Sequence, residues 1–332
     1  MTLAIKDGDT SIQMQLEKRK LFTVILIAVA LNIFTFALAF PIAVHLPKDS
    51  VYARDFSAYY IGEWRLLHNP TQIYYGGIIQ HDFPILPRPQ TFKYTPSFLI
   101  LFAPFLSLSY SNALAVFDIL QFALIPALAF CVYKLVKDKN IVLASVAAVI
   151  VLIDPLPALS LSDSTLNLLG FRVGSLNAQS FSPSYFSGYM MGNAHVLQTI
   201  LLVAALYLGY VKKPWLSALL FTFGAFDPRA ALLALPLLIW YNRQVLTRFL
   251  AGTAVFLAAS NLPFFFYHGI GFNFLHAELS GDIPYQMYPY DWIPLYSIAI
   301  LTIIEVATVL RTRGIYLSFP LTRKGKNPKN AH

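Results

Sequence analysis

One stretch of the chain gathers residues able to do chemistry. It reads Tyr52-Ala53-Arg54-Asp55-Phe56-Ser57-Ala58-Tyr59-Tyr60 and runs on through Glu63, Trp64 and Arg65 to His68-Asn69-Pro70. Asp55 is a carboxylate beside a cation, Arg54, which would help keep it ionised or would instead tie it up. Arg54 could equally meet a lipid headgroup, and Asp55 has an ordinary structural use: ahead of a helix, its side chain caps free N–H groups. Phe56, Tyr59, Tyr60, Glu63, Trp64 and Leu67 recur at helical spacing, so a helix follows Asp55, and Asn69-Pro70 ends it. With Tyr and Trp on one face, that helix is expected to lie along a membrane surface.

Further candidates lie apart from this stretch. Arg229, in Phe226-Asp227-Pro228-Arg229, stands between two short apolar segments, where an arginine is costly without a partner; Asp227 is the nearest one. Lys93 precedes Tyr94 and either meets an anion or snorkels to an interface. Arg172 is a third cation of this kind. Asn193 and His195 open an apolar run; His195 could bind phosphate or donate to a sugar, or be satisfied by a neighbouring helix. Asp154, before Pro155, reads as a helix-end turn. Near the C-terminus His268, His276, Glu278, Asp282 and Asp291 sit among Tyr285, Tyr288, Tyr290 and Trp292. Acids with aromatics suit sugar binding, and they also describe any membrane-interface loop. His276 and Glu278 lack a third ligand, so no metal site is expected. The single cysteine, Cys131, rules out an internal disulfide and a paired-cysteine site.

The elements that must hold these residues are helices in lipid. The 332 residues are 57% apolar and only 12% charged, with a mean hydropathy of +0.60; a soluble chain carries roughly twice that charge fraction. Apolar runs cover Leu21–Leu46, Ala113–Tyr133, Ile141–Ile153, Tyr189–Tyr210, Pro214–Phe226, Ala230–Tyr241, Phe249–Tyr267 and Ile293–Leu310. Leu21–Leu46 is too long for a signal h-region and reads as an uncleaved span. A span needs about 20 residues, so several runs need their flanks, and Pro214–Tyr241 reads either as two spans or as one bent one. A further run, Ser97–Leu108, is about 12 residues long with Pro104 inside, and suits an interfacial or re-entrant segment.

Charge fixes the expected topology. With about eight spans, 17 of the 24 basic residues fall in the N-terminal segment, in the connections at 134–139, 212–213 and 243–248, and in the tail from Arg311. The positive-inside rule puts those in the cytoplasm, with both termini. The long connections 47–112, 154–188 and 268–292 then lie outside, and 311–332 is a basic cytoplasmic tail. One membrane domain of 1–332 results, without an internal repeat of the inverted-transporter kind.

The pattern Asp55-Phe56-x-x-Tyr59-Tyr60, then Leu66-Leu67-x-Asn69-Pro70, Ile73-Tyr74, and Phe92-Lys93-Tyr94-Thr95-Pro96-Ser97-Phe98 leading to Leu101-Phe102-Ala103-Pro104-Phe105, resembles the GT-C membrane glycosyltransferases. Within them it looks most like family 87, the polyprenol-phosphate-mannose-dependent mannosyltransferases. The likeness is best over residues 50–110 and runs more faintly to about 245. The chain departs from the family at Gly192-Asn193-Ala194-His195, where Gly-Gln-x-Asn is usual, and at Phe226-Asp227-Pro228-Arg229, where a Lys-x-x-Pro element is usual.

The resemblance implies transfer of a sugar, mannose first, from a polyprenyl-phosphate donor to a glycan or glycolipid on the outer face. Asp55 would be the base of an inverting displacement. Arg229, Lys93, Arg172 and Arg54 would meet the donor phosphate, and His195, Asn193, Tyr59, Tyr94, His276 and Glu278 the sugar or acceptor. No divalent ion is expected. Two other readings are a transporter or lipid flippase, which would want charges inside spans, where Glu305 stands out, and an inactive GT-C-like assembly subunit.

Overall fold

The computed structural model describes residues 54–74, 92–153, 192–280 and 292–312, and part of 22–37. All regular structure among them is helical. The helices are α1 (Arg54–His68), α2 (Pro96–Leu99, continued by a 3-10 helix over Ile100–Ser107), α3 (Tyr110–Val136), α4 (Ile141–Ile153), α5 (His195–Tyr210), α6 (Pro214–Gly224), α7 (Pro228–Asn242), α8 (Leu246–Phe266), α9 (Ile270–Ser280) and α10 (Trp292–Thr312). Helical residues among 22–37 precede α1 and touch α3 through Phe36, stacked on Phe122 at 4.6 Å.

Among the described residues, two helical runs are long and apolar enough to cross a membrane, Tyr110–Val136 and the nearly continuous Pro228–Phe266. At 1.5 Å per residue the 27-residue α3 is about 40 Å long, more than a hydrocarbon core needs. Helices α4, α5 and α6 are apolar but shorter. The outward faces are apolar as well: Ile119, Leu120 and Phe130 on α3, Val142 and Ile150 on α4, Leu232 on α7, Val255 on α8 and Ile303 on α10 are all exposed.

Local chemistry sets the helix ends. Pro96, Pro214 and Pro228 each stand in a first turn, where the missing N–H costs nothing. Asn140 caps α4 by accepting from Leu143 N at 3.0 Å. Helix α5 stops at Lys212, whose φ of 63° is left-handed, and Lys213 N reaches back to Leu208 O at 2.8 Å. The segment 214–241 is two helices that double back: Asn242, at the end of α7, donates to Ser217 Oγ near the start of α6. One bent span is therefore not what this segment forms.

Helix α5 is buried nearly all round and packs against α3, α6, α7 and α10. Two apolar clusters meet on it, with Leu197 packed against both. One is aromatic, built from α1, residues 92–105, the start of α3, Phe226, Phe264 and α9. The other is aliphatic, built from the rest of α3, α4, α6, α7 and α10. At the far end of the aliphatic cluster Glu305 accepts from Trp240 Nε1 at 2.8 Å and Tyr241 OH at 2.9 Å, and pairs with Lys139. Glu305 thus ties α10 to α7 and to the α3–α4 turn.

Helix α1 differs from the sequence reading in where it begins. Asp55 lies inside its first turn rather than ahead of it. Nor is one face of α1 open: every residue from Asp55 to Glu63 is buried, because Phe92, Phe98, Leu99, Phe102 and Phe105 wrap the helix. The rings of α1 pack into this internal cluster, while Leu67 and His68 at its end are exposed.

Close approach of α5 to α7 generates a test. A Cβ on Gly209 would lie 2.4 Å from Asn242 Nδ2, and that amide is held by Leu238 O at 2.9 Å. Gly209→Ala should therefore destabilise the fold by about 1–3 kcal/mol, measured by unfolding in mixed detergent. Adding Asn242→Ala should give a loss well below the sum of the two single losses.

Candidate functional site

The residues singled out in the sequence converge at the meeting of the two clusters. Asp55, 3% exposed, accepts from Asn193 Nδ2 at 2.6 Å. The amide orientation is fixed from the other side, because Asn193 Oδ1 accepts from His195 N at 2.8 Å and so starts α5. Gly192 allows this approach. Its φ is +62°, and a Cβ there would lie 2.5 Å from Phe56 Cβ and 2.9 Å from Leu114 Cδ1.

From Asn193 the polar contacts continue along α5. His195 Nδ1 lies 3.1 Å from Gln198 Oε1. Gln198 Nε2 donates to two carbonyls, Gly224 O and Asp227 O, each at 2.9 Å. Those bonds fix the Gln198 amide, so its oxygen faces His195 and Nδ1 of the ring carries the proton.

Asp227 closes the series. It caps α7 by accepting from Arg229 N at 3.0 Å, takes Arg229 Nε at 3.0 Å, and pairs with Nη2 of the same guanidinium. The partner expected for Arg229 is therefore the one it has, while its side chain keeps 23% of its exposure. An unbroken line of contacts runs from the Asp55 carboxylate to the Arg229 guanidinium.

Tyr59 and Tyr94 flank this line. Tyr59 OH accepts from Ala194 N at 3.3 Å and reaches Tyr94 OH at 3.5 Å. Tyr94 packs edge-on against Phe226 at 5.3 Å, and Lys93 Nζ lies 5.7 Å from the Tyr94 ring centre. Tyr94 thus packs at the turn that carries Arg229. His276 is exposed on α9, which packs on the aromatic cluster through Ala277 and Ile270, and no described contact joins it to Asp55. Arg172, Asp154, Asp282 and Asp291, and the side chains of Arg54 and Glu278, lie outside the described residues. Among the described residues no three His, Cys, Asp or Glu side chains gather as metal ligands.

Three polar side chains escape a reading based on motifs. Gln198 links α5 to the α6–α7 turn, and Asp118 and Gln121 lie buried on α3. The available signal was a polar residue inside an apolar run, which in a membrane helix points inward by default. Comparison with protein-family models, curated proteins and solved structures gave no match to this chain.

Glu63 lies two turns along α1 from Asp55. It is 2% exposed, and its Oε2 has no hydrogen-bond partner among the described residues. Burial pushes its carboxyl up to about 7 from 4.5. Since the raised value belongs to the folded chain, stability from this group is intact below about pH 4.5, falls as the pH rises to about 7, and stays low above it. Glu63→Gln should be more stable than wild type at pH 8, by up to about 3 kcal/mol, and equal to it near pH 4. A difference that does not change with pH would show that Glu63 titrates as an ordinary surface acid.

Proposed function

We propose that this chain is an integral membrane glycosyltransferase that uses a polyprenyl-phosphate sugar, mannose first, and glycosylates a hydroxyl of a glycan or glycolipid on the outer face. The observation that carries the reading is the Asp55–Asn193 contact with its extension to Arg229. Three separate stretches, 54–60, 192–198 and 226–229, supply one connected set of groups: a carboxylate at one end and a cation at the other. These are the stretches on which the family resemblance and its departures fall. Asn193 and Arg229, the residues that depart, stand within the set rather than apart from it.

The chemistry follows from the leaving group. The acceptor oxygen attacks the anomeric carbon, the bond from that carbon to the phosphate oxygen breaks, and the hydroxyl proton passes to Asp55. Attack from the face opposite the phosphate inverts the anomeric centre, by the same geometry as in inverting glycosidases. Polyprenyl phosphate leaves as an anion without needing a strong acid. Arg229 meets that anion, and Lys93, Arg172 and Arg54 are further cations for it. Asn193 holds Asp55 in place, while His195, Tyr59 and Tyr94 border the sugar; His276 and Glu278 are assigned to the acceptor. No divalent ion takes part in this scheme.

In this reading the chain crosses about eight times with both termini cytoplasmic, and α1, α2 and α9 lie toward the outer face. The paired Asp227–Arg229 turn sits at the outer boundary, where an arginine is tolerated because it has a partner.

Two measurements test the proposal. Purified protein should release polyprenyl phosphate from labelled polyprenyl-phosphate mannose in the presence of acceptor membranes, and Asp55→Asn should lower this at least a hundredfold while folding normally; transfer at the wild-type rate by Asp55→Asn refutes the assigned base. A cysteine at His68, on the exposed end of α1, should react with an impermeant reagent from outside intact cells, and one at Lys213 only after lysis. The reverse pattern overturns the topology.

A further inference from the structure

Asp118 and Gln121 lie one turn apart on the buried face of α3, 0% and 1% exposed. Both carboxylate oxygens of Asp118 and both polar atoms of the Gln121 amide have no hydrogen-bond partner among the described residues. The rest of that face is apolar, with Leu114, Phe117, Ile125, Leu128 and Val132. Four unpaired polar atoms in such a stripe weaken the closed fold, and leucine would fill the same positions without that loss.

Their location ties them to the site. Leu114, one turn before Asp118, is the α3 residue that meets Gly192 beside Asn193. Phe117 packs on Phe56, the neighbour of Asp55, with ring centres 5.2 Å apart. Tyr110 stands within electrostatic reach of both Asp55 and Asp118. A helical turn advances about 5.4 Å, so Asp118 lies roughly the width of one sugar ring deeper in the bundle than the Asp55–Asn193 contact.

The atoms define what would satisfy them. A carboxylate accepts hydrogen bonds from two neighbouring hydroxyls, and an amide both gives and takes; a sugar hydroxyl also does both. A phosphate is excluded beside an unpaired carboxyl, and two side chains are too few for a metal cage of oxygens. We propose that Asp118 and Gln121 are a recognition pair for the hydroxyls of the transferred sugar, occupied when the bundle opens to admit the lipid donor. This rests on the glycosyltransferase reading above. Donor phosphate would lie toward Arg229 and the sugar toward α3, with Asp55 between.

The test uses full-length protein carrying Asp55→Asn, so that donor binds without turnover. Asp118→Leu and Gln121→Leu, each added to that background, should raise the melting temperature without ligand and weaken binding of polyprenyl-phosphate mannose at least tenfold. Binding of polyprenyl phosphate without sugar should stay unchanged. A lower melting temperature in both leucine variants would show a structural role and overturn the proposal, as would unchanged affinity for the mannosyl lipid. Stabilisation of the parent by sodium, potassium or magnesium that the leucine variants lose would assign the pair to a cation and also overturn it. Transfer by Asp55→Asn alone refutes Asp55 as the base, and no binding of the mannosyl lipid by any variant sinks the glycosyltransferase reading instead; inactive Asp55→Asn with intact donor binding in the leucine variants sinks only this one.

Discussion

The amide of Asn193 is the interaction on which the arrangement depends. It does two jobs with its two ends: its nitrogen donates to Asp55 and its oxygen accepts the first free N–H of α5. Because an amide has one oxygen and one nitrogen, each job fixes the other. Helix α5 cannot start one residue later without turning the donor away from Asp55, and α1 cannot slide without uncapping α5. Since α5 is the helix around which α3, α6, α7 and α10 pack, the position of one carboxylate is coupled to the whole bundle.

The two clusters divide the labour. The aliphatic one contains the helices that meet most extensively, closed at its far end by Glu305 with Trp240, Tyr241 and Lys139. The aromatic one is a layer of rings at 5–6 Å centre-to-centre spacing, among them Phe56 with Phe117 at 5.2 Å and Tyr59 with Phe102 at 4.9 Å. Most of these rings meet edge-to-face or tilted, Phe98 stacks on Phe226, and the buried tyrosine hydroxyls find partners within the layer. The polar line from Asp55 to Arg229 occupies the seam between them, where backbone turns at 192–194 and 225–227 supply carbonyls and N–H groups that straight helices keep to themselves.

Much of this frame was legible because its causes are local. Asn69-Pro70 ends α1 and Asp227-Pro228 begins α7 for reasons contained in two or three residues. Asp55, Asn193 and Arg229 stood out because polar groups beside apolar runs have few uses. Gln198 did not, since its partners are the carbonyls of Gly224 and Asp227, and a carbonyl leaves no mark on a sequence. Asp118 and Gln121 form no motif, and only the structure shows that nothing described meets them. The enclosure of α1 was hidden for a different reason: an aromatic face reads the same whether it meets lipid or other rings, and the rings that cover it come from residues 92–105, far along the chain.

The length of the α6–α7 hairpin bears on how a lipid substrate would arrive. Helix α6 has 11 residues and α7 has 15, so they rise about 16 and 22 Å, whereas a hydrocarbon core is about 30 Å thick. Under the proposed membrane reading, lipid around this hairpin must thin to match it, because a short apolar stretch draws the leaflet surfaces together. Headgroups of the outer leaflet would dip toward the Asp227–Arg229 turn. A phosphate carried by a lipid could then glide sideways in its own leaflet to the guanidinium, with its tail never leaving oil. The dimple, rather than a portal between helices, would be the door.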